Sequence, residues 1–344
     1  MNACLLPSPF DRFALAAVLL LALGSWGFVP HRALHSVAWN LLPAETRDAW
    51  GDAESMLHEW AVAADRRKHT DSLEAPRHYL DVDLLATLSG ERHPWEWGKR
   101  WNMVQARRDS LPYPKDPGSL PWQIHASYHL LVWSLKDSVK CDSTARRSIK
   151  LAADLGHYIA DAHVPLHSTS NYDGQLTNQR GIHALWETHA MEWLLQSVDR
   201  APCPCVNWDD ERGFDPHWLP WQMVDESHQM VDDVLAAERR WKERMPDDAW
   251  GFRRRGRTMQ LIPTPDALQL WDSLTHHSTN ERYCLAAQRI ALAWHGAWMD
   301  AGSPNLRLAS QGAEPYLEAL IRRAGRWARS LVGQRPPKNL HREP

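Results

Sequence analysis

The stretch from His157 to Glu187 reads HYIADAHVPLHSTSNYDGQLTNQRGIHALWE and holds two His–acid pairs, His157/Asp161 and His183/Glu187, with His167 between them. Side chains four residues apart leave a helix from one face, so each pair can grip a single ion. Imidazole nitrogens and carboxylate oxygens are ligands that zinc accepts, and a catalytic zinc keeps one position open for water. In a chain with 19 His, one such pair is more often a surface ion pair or a satisfied, partly buried histidine. Two pairs and a third histidine in one segment would need coincidence three times over. Pro165 cannot continue a regular helix, so the helix carrying His157 and Asp161 ends just before it and leaves His167 on the exit turn. Residues 168–181, rich in Ser, Thr, Asn and Gly, read as the loop to the next helix.

Outward from this segment the chain shows no internal repeat and little period-two alternation. Apolar spacing predicts helices near 32–41, 50–65, 78–88, 122–137, 143–163, 182–197, 221–244, 265–276, 279–300 and 313–332. Breaks are expected at 112–121, 201–220 and 253–265. The expected fold class is therefore all-α, a multi-helix domain with ligands from several helices and loops. The tail from Gly333, Pro-rich and basic, reads as disordered. Among the 20 Trp, those at helical spacing (Trp122, Trp133, Trp186, Trp193, Trp241, Trp294 and Trp298) are expected to pack the core. A net charge of −3 excludes a global basic field that would recruit nucleic acid or acidic lipid.

The N-terminus reads as an address. Arg12 precedes an apolar run at 13–23, too short for a spanning helix and suited to a signal-peptide core. Gly24 and Ser25 are small, so cleavage after Ser25 is expected. This gives a signal peptide at 1–25, one domain over 26–332 and a tail at 333–344. The localisation is then periplasmic or extracellular, with an uncleaved membrane anchor as the alternative. Export permits disulfides among Cys141, Cys203, Cys205 and Cys284, an even number whose pairing stays open. Cys203-Pro-Cys205 lacks the spacing of a zinc ribbon.

An ion held by His157 and Asp161 needs more ligands. Upstream, Asp65 and His78 (in Glu74-Ala-Pro-Arg-His78-Tyr-Leu-Asp81) are candidates, although Asp65 beside Arg66 could be a surface ion pair and His78 a helix-start histidine. Trp26-Gly-Phe-Val-Pro-His31 is a third clue. Cleavage before Trp26 would turn its free α-amine and carbonyl into a chelating pair, with His31 nearby.

This ordered set resembles the zinc-dependent phospholipase C and single-strand-specific zinc nuclease superfamily, over roughly residues 26–187. The resemblance implies an all-α fold holding three zinc ions in a cleft. It implies one ion on Asp65, His78, His157 and Asp161, a second on the Trp26 backbone, His31 and Asp161, and a third on His167, His183 and Glu187. His35 and His163 are spare histidines near these ligands, and His163 reads as supporting or structural. Asn171, Tyr172 and Asn178 either support the loop or meet substrate. The implied reaction uses a zinc-activated water to attack phosphorus, with Asp65 orienting or deprotonating it and Lys68 clamping a phosphoryl oxygen. Lys68 is equally readable as a solvated charge, with Arg66 and Arg67 as competitors. Three zinc ions bring about +6, of which Asp65, Asp161 and Glu187 offset about three, favouring a phosphate ester.

The implied substrate is a phosphodiester, either a phospholipid or single-stranded nucleic acid. Glu187, where the nucleases usually carry Asp, and the short His167–His183 gap resemble the phospholipase side. The close Trp26–His31 spacing resembles the nuclease side. Phospholipase C-like chemistry with peripheral membrane contact is the leading expectation, and a nuclease or 3′-nucleotidase the alternative. Arg253-Arg254-Arg255-Gly-Arg257 could track a nucleic-acid backbone, though such a run is more often a solvated face. No protein partner is evident in the sequence. A non-catalytic helical interaction protein with structural zinc is a further alternative, distinguished by zinc stoichiometry.

Overall fold

The computed structural model describes residues 27–84, 116–137, 142–198, 200–208, 213–245, 248–255 and 258–306. Trp26, the expected signal peptide at 1–25, Cys141, the helix expected near 313–332 and the tail from Gly333 lie outside the described residues. Among the described residues the chain is all-α apart from one β-hairpin. In order come α1 (Phe28–Leu41), α2 (Ala44–Trp50), α3 (Ala53–Trp60), α4 (Ala63–Arg67), a 3-10 turn (Ala75–His78), α5 (Leu120–Asp137) and α6 (Asp142–Asp161). A second 3-10 turn (Pro165–Ser168) leads to α7 (Ile182–Ala184), a π-turn (Leu185–Ala190) and α8 (Met191–Leu194). The rest comprises α9 (Leu219–Gln229), α10 (Val231–Arg244), β1 (Trp250–Arg255), β2 (Thr258–Pro263), α11 (Pro265–Leu274) and α12 (Ser278–Asp300).

The sequence of α6 explains how it reaches the centre. In its first half Ala145, Ser148, Ile149, Ala152 and Ala153 are buried, a stripe at the 3.6-residue period. From Leu155 to Asp161 every residue is buried, so the helix drives its C-terminal end, with both His157 and Asp161, into the core. It packs on α1, α3, α5 and α12. The closest approach is at Gly156, where a Cβ would meet His35 Nε2 at 2.7 Å and Trp294 Cζ2 at 3.1 Å. Only glycine admits that crossing. Trp294 on α12 locks it by donating its indole N–H to the Ala152 carbonyl at 2.8 Å.

Several elements differ from the sequence expectation. Of the helix expected near 78–88, residues 85–88 lie outside the described residues, and the helical conformation begins at Val82 rather than at His78. Pro76 sits in the first turn of a 3-10 segment that ends at His78, Tyr79 is extended, and Leu80 bridges to Gly118. The helix expected at 221–244 is two, parted at Met230. The break expected from Arg253 is an antiparallel hairpin, Trp250 opposite Pro263 through Arg255 opposite Thr258. Trp186, Trp241, Trp294 and Trp298 are buried as expected, with Trp50, Trp221 and Trp271 beside them in the core. Trp133 is not in the core. It is 56% exposed, with the Arg147 guanidinium 5.1 Å over its ring.

The C-terminal helices are pinned by a charged network. Glu226 on α9 accepts from Arg282 at 3.0 Å and from Arg289 at 2.7 and 2.8 Å. Arg282 also donates to Ser227 Oγ at 2.6 Å, and Ser227 to the Ala162 carbonyl at 2.6 Å. Burial opposes ionisation of Glu226, but hydrogen bonds and charge from Arg289 and Arg282 hold its carboxyl below the usual range. Its contribution is therefore complete above the unfolded carboxyl value of about 4.3 and is lost as pH falls through the lower folded value. Glu226→Gln is expected to cost about 2–3 kcal/mol near pH 7, below the full penalty of a broken buried pair because Glu226 is 28% exposed. Urea unfolding should show that deficit shrinking as pH is lowered below about 4, and a deficit independent of pH would remove the electrostatic account.

Candidate metal centre

The structure brings together every described residue that the sequence proposed as a ligand. His31 comes from α1, Asp65 from α4, His78 from the end of the 3-10 turn, and His157 and Asp161 from the buried end of α6. His167 follows on the second 3-10 turn, His183 stands on α7 and Glu187 on the π-turn. Trp26 lies outside the described residues. Ligand atoms of His31/Asp65/His157, of His78/His157/Asp161, of His31/Asp161/Glu187 and of His167/His183/Glu187 each lie within 4.8 Å of one another. The groups share members, so they form one continuous cluster that could hold metal ions.

Hydrogen bonds outside the cluster fix how the rings face it. Nδ1–H of His157 donates to the Ala61 carbonyl at 2.8 Å, that of His167 to the His78 carbonyl at 2.6 Å, and that of His183 to the Tyr172 carbonyl at 3.0 Å. Each bond turns Nδ1 outward and Nε2 toward the cluster, the outer support a metal-ligating imidazole normally has. His78 is turned the other way. Its Nδ1 lies 2.7 Å from Asp161 Oδ2 and its Nε2 lies 3.4 Å from Glu74 Oε1. That is a carboxylate–histidine arrangement, with Glu74 behind the ring.

Within the cluster, His157 Nε2 stands 3.4 Å from Asp161 Oδ2 and 3.5 Å from Asp65 Oδ1, and His31 Nε2 stands 3.7 Å from Asp161 Oδ1. At the other end His167 Nε2 is 3.6 Å from Glu187 Oε1, and His183 contacts Glu187 through Nε2. The imidazoles of His31 and His157 stack at 4.1 Å, those of His167 and His183 at 5.1 Å. Among the described residues, Asp161 Oδ1 and His167 Nε2 are buried without a hydrogen-bond partner. Buried polar atoms left in that state cost several kcal/mol in round figures, about 1–3 each, unless something else satisfies them.

Electrostatics divide the histidines. Burial and the neighbouring His157 push His31 well below the usual imidazole value. Burial also works against protonating His157, but Asp161 and Asp65 together hold it well above. Burial opposes ionisation of both Asp65 and Asp161, and His157 nonetheless keeps each well below the carboxylate range. The acids therefore stay anionic and available as ligands. Glu187 behaves alike, with His183 and His167 overcoming the cost of its burial.

The spare histidines are structural. His35 donates through Nδ1 to the His31 carbonyl at 2.9 Å and faces the Ala153 carbonyl through Nε2 at 3.1 Å. Burial lowers its pKa to about 4 against the pull of both carbonyls, so the ring is neutral and its single N–H serves one of them. His163 donates to the Ile159 carbonyl at 2.7 Å and accepts from Arg289 at 3.0 Å. Asn171 holds its own loop, accepting from the Leu176 N–H at 2.7 Å and donating to Thr177 Oγ1 at 3.0 Å. Asn178 occupies the left-handed region at φ 60°. Of the basic run after Asp65, Lys68 is bound to Asp65 Oδ1 at 2.9 Å. Arg67 is committed to Asp154, Glu74 and Tyr158, and Arg66 lies over the Phe28 ring.

Glu74 is the supporting residue that ligand-seeking in the sequence passed over. It is fully buried, and beside the His78 ring it receives Tyr158 Oη at 2.5 Å, Arg67 at 3.2 Å and Arg77 at 2.7 Å. The signal was present, since Glu74 and His78 are four apart in the chain.

Among the described residues no helix is long and apolar enough to cross a membrane. Comparison with family models, with curated proteins and with solved structures finds no match to this chain.

Proposed function

We propose that this chain is an exported zinc-dependent phosphodiester hydrolase with phospholipase C-like chemistry. The observation that carries the reading is the convergence of eight separately spaced ligands, with three imidazoles held from behind by backbone carbonyls so that Nε2 faces inward. Zinc suits this cluster: its donors are imidazole and carboxylate, and Asp161 Oδ1 and His167 Nε2 are buried with no hydrogen bond to satisfy them. Asp65, His78, His157 and Asp161 would hold one ion and His167, His183 and Glu187 another. His31 and Asp161, with the backbone of Trp26, would hold a third. Zinc bound there supplies Lewis acidity toward a phosphoryl oxygen and an acidified water. The protein's part is to hold Asp65 anionic, so that it can orient a water or accept its proton. Lys68, paired to Asp65 and only partly buried, brings a cation to the same point for a phosphoryl oxygen. The disulfide Cys203–Cys284 supports an oxidising compartment and so export.

A second reading, a single-strand nuclease, has one observation in its favour. The Tyr172 ring is half exposed and stands edge-on to His183, 6.3 Å between centroids, where a base could stack. Hydrolysis of phosphatidylcholine and of single-stranded DNA, side by side with and without a chelator, tests both. Chelator-sensitive release of phosphocholine alone is the expected result. Cleavage of DNA alone would make the chain a nuclease. Turnover of neither substrate, with fewer than two zinc ions per chain, would leave the helical interaction protein as the reading.

A further inference from the structure

A second group of histidines shares no residue with the buried cluster. His125 and His129 stand four apart on α5, and His217 lies in the turn that leads into α9. Their ring centroids are 4.5 Å (His125–His129), 4.6 Å (His125–His217) and 6.0 Å (His129–His217) apart. One nitrogen from each lies within 4.8 Å of the other two. We infer that His125, His129 and His217 form an additional metal site at the surface, a tri-histidine site for a borderline divalent ion of the zinc or copper(II) class.

Three features of the local structure carry this. First, His125 donates its Nδ1–H to the Pro216 carbonyl at 3.1 Å, which leaves Nε2 as the nitrogen with the lone pair. That is the same outer support that His157, His167 and His183 receive in the buried cluster. Second, the turn bearing His217 is held by Asp215, whose Oδ1 accepts the backbone N–H of His217 at 2.8 Å and of Trp218 at 3.2 Å. The third ligand is therefore presented by a fixed turn and the other two by one helix face. Third, the three rings converge on one point, with one nitrogen from each within 4.8 Å of the other two.

Three imidazoles without a thiolate or carboxylate suit zinc, copper(II) or nickel better than magnesium or calcium. Three nitrogens held on an ion at about 2.1 Å lie about 3.4 Å from one another, inside the 4.8 Å within which these three stand, so only small adjustments are needed. The exposed side chains of His129 and His217 can supply them by rotation, while His125 stays on Pro216. A bound ion would tie α5 to the turn before α9, segments about ninety positions apart, and three protein ligands leave a coordination position open.

The test is the zinc content of the full chain, stripped with chelator and re-equilibrated across buffered free Zn²⁺, for the wild type and for His129→Gln/His217→Gln. The double variant should bind one zinc fewer per chain at saturation, or bind that one at least about 100-fold more weakly, since losing even an outer-shell partner costs up to that much. The ions of the buried cluster should be unaffected. His277→Gln, at an exposed histidine elsewhere, should keep the full count. Equal zinc content in the double variant and the wild type at every free Zn²⁺ concentration would overturn the site. So would a matching loss in His277→Gln, which would mark the extra ion as scattered surface binding. Should the double variant fold poorly by circular dichroism, His217→Gln alone carries the same comparison, because His217 lies in a surface turn. Because the readout is a difference in stoichiometry, it stands or falls separately from the hydrolase reading.

Discussion

Asp161→Ala and His157→Ala are each expected to lose bound metal and phosphodiester turnover together, with turnover falling by at least about 10³-fold, roughly 4 kcal/mol of transition-state stabilisation. The size follows from sharing. Asp161 Oδ2 faces His78 and His157 while Oδ1 faces His31, and Asp161 also belongs to the group with Glu187. Removing it takes an anion from between histidines at both ends of the cluster. His157 is common to two groups, so its loss likewise reaches more than one position. Zinc per chain by elemental analysis and turnover on the preferred ester are the paired measurements, with circular dichroism to establish that the fold survives. Either variant retaining full zinc and full turnover would mean that the ligands have been misassigned.

Cys203→Ser/Cys284→Ser is the second large effect, a loss of about 4 kcal/mol. The bridge spans 81 positions and so encloses α9, α10, the hairpin and α11. Cross-links closing loops of that size remove unfolded-state entropy worth about 4–5 kcal/mol on the chain-entropy account, of which native proteins commonly realise 2–4. For a domain of this size that corresponds to a fall in Tm of roughly 10 °C. The comparison is a thermal melt of the double variant against the wild type, each with and without reductant. Reductant should lower the wild type toward the variant and leave the variant unmoved. A wild-type melt insensitive to full reduction would show that packing around Cys284, which is buried, holds these helices without the bond.

How far the sequence carried the reading depends on what kind of signal each residue leaves. His157/Asp161 and His183/Glu187 were legible because helical spacing turns a sequence interval into a shared face, and Pro165 was legible because a ring on nitrogen ends a helix. The all-α class followed from the same periodicity. The hairpin escaped because Arg253–Arg255 interrupt alternation with charge, and edge strands of a two-stranded ribbon need no apolar face toward a core. Trp133 escaped because a tryptophan at helical spacing looks the same whether its face meets the core or an arginine. The tri-histidine group divides on this line too. His125 and His129 are a spacing, but His217 joins them only through the fold, and no interval in the chain announces it.

The π-turn at Leu185–Ala190 has a consequence for what edits the gene could tolerate. A π-turn holds one residue more than the α-helix that would replace it. His183 and Glu187 precede or lie within it facing the cluster, whereas Met191 and Leu194 follow it and are buried in the core. The π-turn absorbs the surplus residue locally, so a single-codon deletion between Glu187 and Met191 would leave an α-helix across the same gap, with Met191 and Leu194 keeping the positions they fill. A further inserted residue would instead turn both of them by about 100° relative to His183 and Glu187, so this segment tolerates shortening by one residue better than lengthening.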